Sequence, residues 1–303
     1  METQWPDKFD IVIANPPYSN KLDLKFLDKA FDVAKKEVVF VHPSSFIVDQ
    51  KRSLGIYTKT LDKVGKFIKS IKLFNGNGIF DIGLYVPCSI THLSKKSESR
   101  YFQFEYPQYK QNFKLENSKI NEVSVFGYNQ SFTSIKNKIK TFLKNQGAKN
   151  LEDNGFVLGS GKESQRFLRN PDSFFVEMSH ITAGNNRGEH VKFDDPIHKN
   201  DFFIAISKYQ TIVKRGANPK YNIWFEFSSN SEATNFLNYL KTDFFRICLS
   251  LSKTNQHLAR GEFRMVPWLD FTQEWTDEKL YAHFNITEEE QAFIKEVIPN
   301  WYD

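Results

Sequence analysis

The sequence predicts an α/β protein: a partial doubly wound sheet first, then an α+β region. Apolar β-branched runs alternate with an amphipathic helical pattern over roughly the first hundred residues. Beyond them the segments are short, aromatic-rich and less regular, and they close in capped helices. With 303 residues, 40% of them hydrophobic, the chain can bury a sizeable core, most simply as two domains.

Ile11-Val12-Ile13-Ala14 reads as a strand buried on both faces of a parallel sheet. It stops at Asn15-Pro16-Pro17-Tyr18. Pro16 has no N–H to continue a ladder, and the proline pair stiffens the turn, so Asn15 and Tyr18 are presented in fixed directions at a strand's carboxyl end. That edge is where open α/β sheets bind ligands. LDLKFLDKAFDVAKK then sets Leu24, Leu27, Ala30, Phe31 and Ala34 at helical spacing, which predicts an amphipathic crossover helix. EVVFVHPSS, Glu37 to Ser45, is a second buried strand ending in a proline turn, where His42 reads as a satisfied polar group.

Residues 49–64 read as helical, GKFIKSIKLF (Gly65 to Phe74) as a third strand and IGLYVPCSITHL (Ile82 to Leu93) as a fourth. The polar KKSESR then marks a boundary, giving domains at 1–97 and 98–303. Ser229 to Ser252 predicts one or two helices, and Thr276-Asp277 and Thr287 cap two more, with acids in each first turn.

Cys88 and Cys248 are far apart and without metal-ligand spacing, so neither a metal site nor a disulfide framework is expected, and Cys88 reads as a buried thiol. No stretch reaches the apolar length of a membrane span, and METQWPDKFD lacks the regions of a signal peptide, which predicts a cytoplasmic protein. Net charge is +5, unevenly spread: residues 268–303 hold nine acids against two lysines, net −7, which leaves +12 on residues 1–267. Basic residues interleaved with 30 Phe and 12 Tyr suit phosphate contact and base stacking.

FDIVIANPPY resembles the catalytic motif of amino-directed DNA adenine methyltransferases of the TaqI type, including those fused to endonucleases in restriction–modification systems. VVFVHPSSF and FNGNGIFDIGLYVPCSITHL follow in a similar order. SLSKTNQHLARGEFRMVPWLDFTQEWTDEKLYAHFNITEEEQAFIKEVI resembles the end of the target-recognition domain in phage and bacterial members. The resemblance implies the catalytic and recognition portion of a site-specific DNA adenine methyltransferase, acting on double-stranded DNA in a bacterial or phage-infected cytoplasm. Asn15, Pro16, Pro17 and Tyr18 would form its catalytic motif.

The chemistry agrees with these residue types. Adenine's amino lone pair is delocalised into the ring, and the Asn15 amide oxygen with the Pro16 carbonyl can accept its two N–H groups and aim the lone pair at a methyl group. The base must first leave the stack, and Tyr18 offers the replacing face. The family's second stacking aromatic falls on or near His92, with Phe80 as the alternative; a histidine there is a departure.

S-adenosylmethionine is bound in this family by elements preceding the motif, yet only fourteen residues precede Asn15. Three arrangements are open: a second polypeptide supplies the cofactor half, the chain is a remnant, or the order is permuted. Gly159, Gly161 and Glu177 are the weak cofactor candidates for permutation. The opening strand, lacking outer neighbours, is expected to seek a partner. DNA-contact candidates are Lys214, Arg215, Lys253, Gln256, Arg260 and Arg264, with Lys136, Lys138 and Lys140 among further cations. The rival is a non-catalytic DNA-binding specificity subunit or a restriction–modification remnant. A paired-carboxylate nuclease signature is not found.

Overall fold

Strand β1 (Phe9–Ala14) pairs in parallel with β2 (Ala34–Pro43), and helix α1 (Leu22–Val33) forms the crossover between them. The computed structural model describes residues 8–48, 55–76, 79, 87–145, 149–154, 156–157, 174–178, 210–213, 223–252 and 260–298. They belong to two units, Met1–Asn129 and Gln130–Asp303.

Helix α1 forms because Leu24, Leu27, Ala30 and Phe31 fall on one stripe and are buried, while Lys25, Lys29 and Asp32 face solvent. Each buried leucine contributes roughly 1.5–3 kcal/mol. The helix ends at Val33, earlier than the periodicity predicts. Ala34 is already extended at ψ 137° and is the first, fully buried residue of β2. One apolar position thus serves the end of a helical stripe and the start of a strand.

The remaining strands of the first unit are β3 (Ile68–Asn75), β4 (Pro87–Ser94), β5 (Tyr101–Tyr106) and β6 (Gln111–Glu116). The sheet order is β1-β2-β4-β3-β5-β6, with β4 antiparallel to both β2 and β3. The α/β class is as expected, but the sheet is mixed in strand direction and runs past residue 97. Phe102, Phe104, Tyr106 and Leu115 alternate into the same core, so KKSESR is a loop within one sheet and the unit extends to Asn129.

Helices lie on one face among the described residues. Helix α1, the turn α2 (Ser45–Val48) and helix α3 (Ile56–Val64) all bury side chains in one cluster with Val38, Phe40, Ile71 and Leu73. The opposite face holds half-buried Val39, Val41 and Ile90 and the pair Lys72–Glu105 at 2.7 Å. Strand β1 is therefore not buried on both faces. It is the sheet's edge, and Phe9, Ile11 and Ile13 are 36%, 55% and 75% exposed. A β-branched run signals a strand without saying what covers it.

In the second unit β9 (Phe156–Val157), β10 (Phe174–Met178), β11 (Gln210–Val213) and β12 (Ile223–Phe227) form an antiparallel sheet in the order β11-β10-β12-β9. Phe225 and Phe227 pack against Phe236 and Trp268. Its helices are α4 (Gln130–Asn145), α5 (Leu151–Asn154), α6 (Asn230–Leu240), α7 (Asp243–Ser250), α8 (Asp277–His283) and α9 (Glu288–Val297). Thr276 and Thr287 cap α8 and α9 as predicted, Thr287 in a full capping box with Glu290.

Candidate functional site

The edge strand delivers Asn15-Pro16-Pro17-Tyr18 beyond the carboxyl end of β1. Asn15 and Pro17 are exposed, Pro16 is buried and Tyr18 is half-buried. The Tyr18 hydroxyl donates to Asn15 Oδ1 at 2.5 Å, which ties the amide to a ring three residues on. Burial, then Cys88 and Asp23, push the Tyr18 hydroxyl up to about 12, so it stays protonated and a donor. Lys21 follows with φ 60° in the left-handed region. That reversal lets α1 begin immediately and sets Asp23 in its first turn.

Asp23 and His42 are buried polar residues behind the motif, at 5% and 0% exposure. Ala14, the last residue of β1, is in register with Phe40, two residues before His42. His42 Nε2 lies 3.0 Å from Thr91 Oγ1, and its ring packs on Phe46 at 4.4 Å. Its Nδ1 faces Asp23 Oδ2 at 3.5 Å, too long for a good hydrogen bond, and has no closer partner. Burial outweighs Asp23 and pulls the His42 imidazole below its ordinary value, which keeps it neutral. Sequence reasoning treated His42 as structural and missed Asp23, although an acid four residues before Leu27, on the apolar stripe of α1, is itself a signal.

The other expected residues are less concentrated. His92 lies on β4 in register with Val39 of β2, which is level with Ile13, and its Nε2 meets Glu37 Oε2 at 2.9 Å. Phe80, Gly159, Gly161, Lys214, Arg215, Lys253 and Gln256 lie outside the described residues. Glu177 sits on β10, in register with Thr211 and Trp224. Arg260 and Arg264 belong to a 3-10 segment, Arg260–Met265, where Arg264 is half-buried. Lys138 is committed elsewhere: it pairs with the buried Glu290 at 2.6 Å and holds α4 to α9. Cys88 is buried and its thiol pushed up to about 11 by burial.

Around Asn15 the described residues offer acceptors for an amino group. They offer no exposed acid or glycine turn to hold a nucleoside such as that of S-adenosylmethionine. Asp10 sits at the far end of β1 and pairs with Lys36 at 3.2 Å, and Asp23 is buried. Among the described residues no cluster could hold a metal ion, and no helix is long and apolar enough to cross a membrane.

No family model and no curated protein matches the chain. Solved structures do. A type I restriction–modification methyltransferase subunit from Streptococcus thermophilus is 20% identical over 40% of this chain and 32% of that one, with a TM-score of 0.29. The type IIG restriction endonuclease BpuSI is 10% identical over 95% of this chain and 48% of its own, at 0.35. The type IIL restriction–modification enzyme MmeI, solved in complex with DNA, is 11% identical over 95% and 52%, at 0.41. The chain spans from about a third to about half the length of these structures.

Proposed function

We propose that the chain is the catalytic and recognition portion of a DNA adenine methyltransferase, the first unit acting on the amino group and the second gripping the duplex. The observation that carries this reading is the Asn15–Tyr18 pair at the carboxyl end of β1, with the amide exposed and its oxygen held by the Tyr18 hydroxyl. A carbonyl oxygen has two lone pairs, so Asn15 Oδ1 can take a substrate N–H while keeping Tyr18. The Pro16 carbonyl would accept the second N–H, and the Tyr18 ring would stack on the extruded base. S-adenosylmethionine would supply an electrophilic methyl group.

Asn15 and Tyr18 need no charge of their own for this task. They orient a lone pair, which is a positional effect. The test is incubation of the chain with labelled S-adenosylmethionine and unmethylated mixed-sequence DNA, followed by nucleoside analysis. Label in N6-methyladenine that disappears in Asn15→Ala supports the reading. Label absent with the wild-type chain, while DNA is still bound, favours the second reading, a DNA-binding specificity subunit.

A further inference from the structure

We infer that the Tyr18 hydroxyl is a specificity-determining group: it holds the Asn15 amide with its oxygen toward the ring, so that the site accepts a base offering an amino group there and rejects one offering a carbonyl. This rests on the proposed reading of Asn15 as the contact to an exocyclic amino group, and it concerns base recognition alone. A carboxamide has the same shape either way round. Turned end for end, it puts an NH2 where the oxygen was, and an acceptor becomes a donor. An asparagine selects between bases only if something decides which end faces the ligand.

Here the deciding contact is direct. The Tyr18 hydroxyl donates to Asn15 Oδ1 at 2.5 Å. Reversal of the amide would aim Nδ2 at that hydroxyl and leave the O–H of a half-buried tyrosine without its acceptor. Among the described residues the exposed amide has no second hydrogen-bond partner, so its orientation depends on this bond. A bond of this class biases two otherwise equivalent orientations by about fivefold. Burial keeps the hydroxyl protonated well past neutral pH, so it remains a donor. Pro16 and Pro17 have no N–H, and neither adds a donor beside the amide that a carbonyl could use. The alternative is that the hydroxyl only satisfies itself on the nearest oxygen, and that a ligand feels the Tyr18 ring alone.

The experiment titrates the chain, by ligand-observed NMR, with deoxyadenosine, with deoxyinosine, which has a carbonyl in place of the amino group, and with purine deoxyriboside, which has neither. Wild-type protein should bind deoxyadenosine about tenfold more tightly than deoxyinosine, with purine deoxyriboside between them. Tyr18→Phe, which keeps the ring, should narrow the ratio to about twofold, in part by binding deoxyinosine more tightly than the wild-type chain does. A damaged fold does not produce such a gain. Asn15→Asp added to Tyr18→Phe presents an oxygen either way round and should restore the preference. The inference is overturned if Tyr18→Phe keeps the wild-type ratio, if it weakens all three nucleosides alike, or if the double variant stays at the narrowed ratio. Binding without discrimination by the wild-type chain also overturns it. If none of the nucleosides binds, the reading of Asn15 as a base contact falls as well, so the two failures are told apart.

Discussion

Strand β1 and the C-terminal helix pair α8–α9 are both ends of the chain's fold, and they are finished in opposite ways. In α8 and α9 a threonine cap accepts a first-turn backbone N–H, from Lys279 and Glu290 respectively, Glu290 is buried with Lys138 upon it, and Leu280, Phe293 and Ile294 are inside. Among the described residues β1 has no strand on its outer edge, and Ile13 is 75% exposed. The helical pair is self-sufficient. The edge strand carries the candidate chemistry and leaves apolar surface uncovered, so stability and function are concentrated in different places.

Substitutions on the two sides should therefore separate. On the proposed function, Asn15→Ala is expected to lower methyl transfer by about a thousandfold with an unchanged melting temperature, read by label incorporation and calorimetry. A drop in stability would break the contrast. Phe293→Ala, which opens a cavity beside Phe132, should cost about 3 kcal/mol in denaturant titration.

The third effect depends on pH. Burial first and Asp277 next push the Asp243 carboxyl up to about 6, against the pull of Arg246 and Lys295. Such a group contributes stability that is fully present at low pH and lost as pH rises from the ordinary carboxylate range through about 6. Melting temperatures at about pH 5 should exceed those at about pH 7.5, and Asp243→Asn should remove about 1 kcal/mol of the difference, the carboxyl being partly screened by solvent. Unchanged curves in the variant would assign the pH dependence elsewhere. Thr287→Ala should cost about 1 kcal/mol through its lost cap. Smallest of all, Ile13→Glu should shift stability by less than about 0.5 kcal/mol; a larger loss would mean that the edge is covered in solution.

Local signals were the legible ones. Ser and Thr caps, the stripe of α1 and the strand character of β1 depend on near neighbours in sequence, and each is found where the residues put it. That the faces of β1 are left partly uncovered was not legible, because Ile-Val-Ile-Ala has the same composition whether one face or two are covered. The unit boundary was missed for a related reason: a polar loop looks alike between domains and between strands β4 and β5. At the site, Asn15 and Tyr18 announce themselves by the proline pair between them. Asp23 and His42 do not, since only the packing of α1 against β2 brings them together.

The insertion of β4 between β2 and β3 bears on how the chain acquires its shape. Strand β3 precedes β4 in synthesis, yet it cannot join β2 until β4 has been made and has run back between them. On the ribosome the β1-α1-β2 segment therefore emerges with the free flank of β2 open, and the half-built sheet waits for Pro87–Ser94 before its centre closes. Contacts of such long sequence separation form slowly, so the newborn chain spends its most aggregation-exposed interval before β4 arrives.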